Sequence, residues 1–211
     1  GAPPATPAET PHQPAVTSPS EPAPSIPAGE VVVSVDHLTK VFVPSPPWLK
    51  FLLKSAITSP VTALENVSFE LRRGETCVVI GPNGAGKSTL FRILIGLTTP
   101  TSGRASVLGN DISAGRRVRS LIGYMPPEGH NLMLRHTCAQ NLEFRGRLQG
   151  MNRSSMSARI DEVLEQVGLS YARNQAATSL STGQKARLQL AAALLHRPKV
   201  LILDEPTSAV D

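Results

Sequence analysis

The stretch Gly81-Pro82-Asn83-Gly84-Ala85-Gly86-Lys87-Ser88-Thr89 decides the fold of this chain. It fits the phosphate-loop pattern G-x-x-x-x-G-K-[ST], with an apolar run before it and a helix-like run after it, residues 76–80 and 90–97. Its three glycines let the backbone curl until successive N–H groups face an anion. The helix that follows points the positive end of its dipole at the same anion. The stretch therefore predicts a nucleoside triphosphate site.

Two side chains of this loop are expected to act on the phosphates directly. Lys87 can reach the β- and γ-phosphates, and Ser88 offers a hydroxyl to Mg²⁺. An accidental match in a Gly-rich turn has odds of the order of one in a hundred for a chain of this length. The loop predicts nucleotide binding without indicating what the energy is used for.

A second motif places two carboxylates after an apolar strand. The run Val200-Leu201-Ile202-Leu203 leads directly into Asp204 and Glu205 and is expected to be the buried centre of a parallel sheet. In a parallel sheet, ligands bind at the carboxyl ends of the strands, which is also where a phosphate loop lies. Asp204 is then placed to hold Mg²⁺, directly or through water, while Glu205 orients and polarises an attacking water. Taken alone, the pair fits an ordinary acidic turn equally well.

Composition divides the chain into a tail and one globular domain. Residues 1–29 hold nine prolines and neither aromatic nor basic residues, so they cannot bury enough apolar surface to offset their chain entropy. We expect a disordered, Pro-rich tail over 1–29 and a domain over 30–211, which is expected to be truncated at its C-terminus. A helical insertion is expected at about 125–180, between strands.

The distribution of charged residues, cysteines and histidines bears on the partners and the environment of the protein. All 21 basic residues and 13 of the 16 acidic ones lie after residue 30. The resulting excess of positive charge could serve nucleic acid, anionic lipid or solubility. Because a phosphate loop needs local positive charge in any case, no nucleic-acid partner is expected. Cys77 and Cys138 lie in apolar stretches and are expected to be buried, reduced thiols. His196 ends a helix-like run, where a cation suits the helix dipole. No apolar run approaches the roughly 20 residues of a membrane span.

Periodicity predicts the remaining elements. Strands are expected at 31–35, 67–72, 104–108, 121–124 and 199–203. Thr137 and Gln140 form a capping-box pattern for a helix through Leu148. The next helix has an apolar stripe and is stopped by Gly168. That stripe consists of Met156, Ile160, Val163, Leu164 and Val167. The aromatic and leucine cluster at 48–54 predicts a loop folded onto the domain, with a membrane contact as the alternative.

A third motif makes the combination specific. Leu180-Ser181-Thr182-Gly183-Gln184 opens a helix over 185–196, and Ser181 and Gln184 also form a capping-box pattern. With the phosphate loop, the helical insertion and the Asp-Glu-Pro-Thr-Ser run, residues 31–211 resemble the ATP-binding-cassette ATPases. The resemblance implies an α/β fold. Its parts are a phosphate-loop NTPase core with a mixed sheet, an N-terminal antiparallel β part and a helical insertion subdomain.

The resemblance also implies roles for individual residues. ATP and Mg²⁺ are the expected cofactors, and Phe42 matches the aromatic residue on which the adenine stacks. Members work as head-to-tail dimers, in which Ser181, Gly183 and Gln184 of one subunit face the nucleotide bound to the other. Glu205 and Lys87 are the expected catalytic residues, and Ser88 and Asp204 the metal ligands. Asp211 matches a loop residue that crosses the dimer.

Two positions depart from the family pattern. Thr182 stands where the first signature glycine is usual, which is compatible with export-type members. Pro127 stands where the family usually has a glutamine that ligates Mg²⁺ and reports to the membrane partner. Proline offers no such group. The histidine that usually follows on the next strand would lie beyond Asp211.

The resemblance predicts an ATPase domain that powers transport across a membrane. The stretch 137–148 resembles drug- and polysaccharide-export members, so export is the expected direction. The domain is expected to lie at the cytoplasmic face, held there by a membrane-spanning subunit or domain, and to pair with a second ATPase domain. One alternative is a soluble member acting on ribosomes or nucleic acid. The other is a nucleotide-gated regulatory module that hydrolyses ATP weakly, which Pro127 favours.

Overall fold

The computed structural model describes residues 15–17, 29–43, 59–127 and 132–205, the first of these ranges by its backbone alone. The chain divides into two compact units, residues 1–113 and 114–211. Each unit is built around its own sheet or pair of strands. The aromatic and leucine cluster at 48–54, for which a loop was predicted, lies outside the described residues.

The first unit is organised by an antiparallel sheet. Its strands are β2 (Val31–Phe42), β3 (Val61–Arg72), β5 (Ser102–Val107) and β6 (Asn110–Asp111), in the order β3-β2-β5-β6. This arrangement confirms the predicted antiparallel β part. Strand β2 is longer than the strand predicted at 31–35. Its alternation is interrupted near His37, where φ is +48° and the register with β3 shifts, so the strand continues beyond a bulge that ends the sequence pattern.

The phosphate loop follows a short strand and opens a helix, as predicted. Strand β4 (Val78–Ile80) leads into the loop, and α1 (Lys87–Leu94) begins at the lysine rather than at residue 90. Gly96, at φ +68°, ends the helix with its N–H on the carbonyl of Ile93. Within the predicted tail, β1 (Ala15–Thr17) pairs antiparallel with β4.

The second unit contains a parallel strand pair. After α2 (Arg116–Leu121), strand β7 (Ile122–Met125) pairs in parallel with β8 (Val200–Leu203). Val200 and Ile202 are buried, but Leu201 and Leu203 are 40% and 37% exposed, so the prediction of a continuously buried strand is wrong for one face.

Three helices form the core of the second unit. They are α3 (Cys138–Leu148), α4 (Arg153–Gln166) and α5 (Thr182–Leu194). Both predicted capping boxes are present, at Thr137 and at Ser181. All five members of the predicted apolar stripe are buried, and Gly168 adopts φ +66° just after α4. None of the helices within the described ranges has both the length and the apolar character needed to cross a lipid bilayer.

Two predictions about individual residues need correction. Cys138 is buried, but Cys77 is only half-buried because it precedes β4 at the surface. The surroundings of His196 disfavour the cation that was predicted at this helix end. Burial lowers its pKa, and the nearby charges of Arg159 and Arg145 lower it further. Its Nε2 lies 3.0 Å from the carbonyl oxygen of Ile122, which a neutral imidazole with Nε2–H satisfies.

Candidate functional site

The backbone of the phosphate loop adopts the conformation that its glycines predict. Gly84 and Gly86 have φ of +85° and +90°, in the left-handed region that side chains disfavour. A Cβ on Gly86 would lie 2.0 Å from the carbonyl oxygen of Ala63 on β3, so no other residue fits there without moving the strand. Among the described residues, a Cβ on Gly84 would meet no atom within 4 Å.

The charges around the loop favour an anion. Lys87 Nζ donates to the carbonyl oxygens of Gly81 and Pro82, at 2.6 Å and 2.9 Å, which holds the ammonium group against the loop. The N-cap residue of α1, Gly86, provides no side-chain cap, and the first turn of the helix contains no acidic residue. Its first N–H groups and its dipole therefore favour a negative ligand, and the residues of this loop fit a bound triphosphate.

The remaining loop residues line the same turn. Asn83 and Pro82 are exposed, whereas Ala85 is buried and donates its N–H to the carbonyl of Pro82 at 3.2 Å. Ser88 and Thr89 are the second and third residues of α1. The hydroxyl of Ser88 therefore belongs to the first turn of α1, and metal binding by it stays a prediction.

Phe42 is the last residue of β2, in the same unit as the phosphate loop. The ammonium of Lys40 lies 5.0 Å from the centroid of its ring. This cation–π contact fixes the position of the ring at the end of the strand. Stacking of an adenine on Phe42 stays a prediction.

In the second unit, Asp204 follows β8 and is almost fully buried, at 1% exposure. Its backbone N–H donates to the carbonyl of Met125 at 2.9 Å, and the hydroxyl of Tyr124 donates to Oδ2 at 3.2 Å. These contacts fix the carboxylate at the end of the strand pair. Tyr124 was not predicted to take part, although the parallel pairing of β7 with β8 brings it beside the strand end.

Glu205 lies at the surface with φ +54°. A left-handed conformation costs a non-glycine residue about 1–3 kcal/mol and is found preferentially at functional sites. The chain turns at this residue, so the carboxylates of two consecutive residues have very different surroundings. The predicted division between a metal ligand and a base is compatible with this difference.

The signature segment forms the N-terminus of α5. Ser181 Oγ accepts the N–H of Gln184 at 3.3 Å, and Gln184 Oε1 accepts the N–H of Ser181 at 2.7 Å. Thr182 and Ser181 are exposed, and a Cβ on Gly183 would meet no atom within 4 Å in the part of the chain that the structure describes. The predicted capping box is therefore formed, and the same residues present an open helix N-terminus.

One contact of the signature was not predicted from the sequence: Gln184 Nε2 donates to the hydroxyl of Tyr171 at 2.7 Å.

Pro127 forms a half-buried bend after β7, and residues 128–131 and Asp211 lie outside the described residues. The predicted site residues fall into both units. Phe42 and the phosphate loop belong to the first, whereas Asp204, Glu205 and the signature belong to the second.

Known proteins match the chain over most of its length. A model of the family described as ABC transporter matches residues 64–208. The chain is 39% identical to the methionine import ATP-binding protein MetN of Geobacillus kaustophilus, over 85% of this chain and 50% of that protein. It is 38% identical to the probable multidrug ABC transporter ATP-binding protein YbhF of Escherichia coli, over 87% of this chain and 29% of that protein.

A solved structure extends the match to the fold. The ATP-binding cassette MJ0796, in a dimeric post-hydrolysis state bound to ADP and Pi, is similar with a TM-score of 0.68 and 25% identity. The match covers 85% of this chain and 76% of that one. The chain spans half the length of the methionine-import relative. With the phosphate loop, the signature and the acidic strand end, these matches show that the chain belongs to the ABC transporter family and is an ATP-binding domain of it.

Proposed function

We propose that this chain binds ATP with Mg²⁺ and hydrolyses it to power transport across a membrane. The observation that carries the proposal is the phosphate loop, where Gly84 and Gly86 are left-handed and Lys87 is folded against the loop. The uncapped start of α1 adds backbone N–H groups that suit a phosphate.

The proposed chemistry divides the work among four side chains. Lys87 holds negative charge on the β- and γ-phosphates, and Ser88 and Asp204 hold the metal. When bound, Mg²⁺ neutralises charge that develops on the phosphoryl oxygens. Glu205 accepts a proton from the attacking water. The buried Asp204 is fixed by Tyr124, while the exposed Glu205 lies where solvent reaches it.

A second ATPase domain is the proposed partner for hydrolysis. The similar protein MJ0796 is dimeric in its post-hydrolysis state, and the N-terminus of α5 on this chain carries a capping box at an exposed serine. In the proposed head-to-tail dimer, Ser181, Gly183 and Gln184 face the nucleotide held by the other copy. The helix dipole and N–H groups at this end suit a γ-phosphate.

A membrane-spanning partner is proposed to contact α3, at the cytoplasmic face of the membrane. Phe144 and Leu148 lie one turn apart on this helix and are 42% and 67% exposed. Leu134, 49% exposed, lies in the loop that Asn141 holds by hydrogen bonds to Met133. Exposed apolar side chains grouped in this way are typical of a protein contact.

Export is the proposed direction of transport. The resemblance of 137–148 to export members and the multidrug relative YbhF support it, whereas the methionine-import relative represents the opposite direction. ATP-driven dye movement in inside-out vesicles that contain the complete transporter tests this point. Accumulation inside such vesicles supports export, and ATP-driven loss from them contradicts it.

A second function is supported by Pro127. Because proline brings no amide to the position of the usual glutamine, a nucleotide-gated module with slow hydrolysis is the alternative. The two functions differ in turnover and share the nucleotide site.

The test of the proposed function is the loss of nucleotide binding in Lys87→Ala. Removing a charge that contacts phosphate in a partly desolvated loop should weaken MgATP binding at least about tenfold. Isothermal titration or a fluorescent ATP analogue measures the affinity. The matched control is Lys199→Ala, an exposed lysine of the second unit, which should bind as the parent does. Equal affinity in both variants would remove the phosphate-loop assignment.

A further inference from the structure

The amide of Gln184 is held at both of its polar atoms. Its Oε1 accepts the backbone N–H of Ser181 at 2.7 Å, and its Nε2 donates to the hydroxyl of Tyr171 at 2.7 Å. The first contact belongs to the capping box, and the second lies outside it. Tyr171 therefore adds a restraint that the signature motif does not itself contain.

Tyr171 is suited to this role because its backbone is fixed. It lies in the 3₁₀ turn Ser170–Ala172, between Leu169 and Ala172, both of which are fully buried. The N–H of Leu169 donates to the carbonyl of Leu164 at the end of α4, at 2.7 Å. The side chain of Tyr171 is 63% exposed, so packing of the ring contributes little to holding it in place. The hydroxyl is the part of the side chain that makes a specific contact.

We propose that Tyr171 is a positioning residue for the signature, linking α4 to the N-terminus of α5 through the Gln184 amide. Rotation of this amide by half a turn would place Nε2, a donor, against the N–H of Ser181 and against no acceptor there. The Ser181 N–H therefore selects the amide orientation, and the tyrosine hydroxyl, which accepts from Nε2, restrains the position of the amide in that orientation. This inference rests on the proposed function, in which the same helix end faces a nucleotide on a second copy.

The positioning role has a specific kinetic consequence. Tyr171 touches neither reactant in this scheme, so its loss should leave ATP binding to a single copy unchanged. Assembly of the ATP-bound dimer should weaken about three- to tenfold, as expected for loss of one neutral hydrogen bond at an exposed site. In the active protein, kcat should fall by a similar factor with KM for ATP within about twofold.

The experiment compares Tyr171→Phe, Gln184→Ala and the double variant in the full-length protein that also carries Glu205→Gln. Analytical ultracentrifugation with MgATP gives the dimer affinity, and thermal unfolding gives the stability. Tyr171→Phe should weaken the dimer in the presence of Gln184 and change nothing further once Gln184 is alanine. Ser170→Ala, a neighbouring exposed position, is the matched control and should behave as the parent.

Two outcomes would overturn the proposal. One is an equal effect of Tyr171→Phe with and without Gln184, and the other is an unchanged dimer affinity. If the Glu205→Gln parent itself fails to dimerise with MgATP, the proposed function fails instead. The positioning step is then read in the monomer from the side-chain amide signals of Gln184 in ¹⁵N NMR spectra. Signals that do not move in Tyr171→Phe contradict it, and signals that shift or broaden support it.

Discussion

At the scale of single residues, Asp204 and Glu205 show how one strand end supplies two different carboxylates. Asp204 is buried, with its N–H on the carbonyl of Met125 and its Oδ2 on the hydroxyl of Tyr124. Glu205 is exposed and left-handed. A carboxylate with fixed partners suits metal binding, whereas one that solvent reaches suits proton transfer. The adjacent positions therefore need not be interchangeable, although both are acidic.

Pro127 gives a prediction at this scale. Pro127→Gln should raise the turnover number several-fold, because a glutamine can orient water and contact the metal, which matters most in the transition state. The affinity for MgATP should change by less than about twofold, since Mg²⁺ readily keeps waters in place of a lost ligand. Steady-state ATPase assays and a binding titration measure the two quantities.

The matched control for this substitution is Pro127→Ala. It removes the restraint on φ without adding an amide. A rise in Pro127→Gln alone assigns the effect to the amide. If turnover stays the same or falls in Pro127→Gln, then Pro127 does not occupy the glutamine position, and the regulatory alternative loses its main support.

The residues of the phosphate loop could be predicted because their motif is local, whereas contacts between residues far apart in sequence could not be predicted. The phosphate loop depends on nine consecutive residues, so its spacing is fully visible in the sequence. Tyr171 and Gln184 are separated by 13 positions and meet only because a 3₁₀ turn follows α4. The contact of Tyr124 with Asp204 spans 80 positions and depends on the parallel register of two strands. Residue type alone carries no sign of either contact.

At the scale of elements, helix starts that carry a local capping signal were predicted better than the lengths of the strands. Both capping boxes are local, and both are formed as expected. Strand β2 was underestimated because its pattern breaks at the bulge near His37, while pairing with β3 and β5 continues it. The exposed face of β8 was missed because an apolar run does not indicate which of its faces is covered.

His196, which follows α5, makes stability depend on pH. Burial and the charges of Arg159 and Arg145 hold its pKa below the ordinary value of about 6.5. The unfolded chain therefore binds more protons than the folded one below that pH, so stability is lost as the pH falls through the folded-state pKa. His196→Gln, which keeps an N–H donor for the carbonyl of Ile122, should lose about 2 °C less in Tm between about pH 7 and pH 5.

Thermal unfolding across this pH range, in the parent and the variant, tests the effect of His196. The control is His136→Gln, which alters an exposed histidine and should keep the pH dependence of the parent. Parallel curves for the parent and His196→Gln would show that the acid sensitivity arises elsewhere.

Helix α3 carries a prediction about the membrane partner. Replacing Phe144 and Leu148 by serine removes exposed apolar surface without opening a cavity in the core. The double variant should lose most of its co-purification with the membrane subunit or domain, while its own ATPase activity stays within about twofold. Affinity purification from detergent-solubilised membranes measures the first quantity.

Leu97→Ser is the control for that experiment, since Leu97 is 63% exposed and belongs to the first unit. It should retain the membrane partner. Equal retention in the control and the α3 variant would place the docking surface elsewhere.

At the scale of the whole molecule, the proposed cycle needs two copies of the ATPase domain. Glu205→Gln in the full-length protein should keep MgATP binding while hydrolysis falls about 10²- to 10⁴-fold, because a positioned base is lost. ATP-bound dimers should then accumulate and elute earlier than the parent in size-exclusion chromatography. Turnover within threefold of the parent would show that Glu205 is structural. Lys87→Ala combined with Glu205→Gln should abolish the dimer, which links its formation to the bound nucleotide.

The close contact between Gly86 and Ala63 determines how a displacement of the phosphate loop passes to strand β3. At this point the loop and β3 meet backbone to backbone, since a Cβ on Gly86 would lie 2.0 Å from the carbonyl oxygen of Ala63. Flexible side chains can absorb a displacement by changing rotamer, whereas here the loop lies directly against the backbone of Ala63, with the Leu64 side chain beside it. The joint is therefore stiff. We therefore expect a ligand that displaces the loop at Gly86 to displace strand β3 as well.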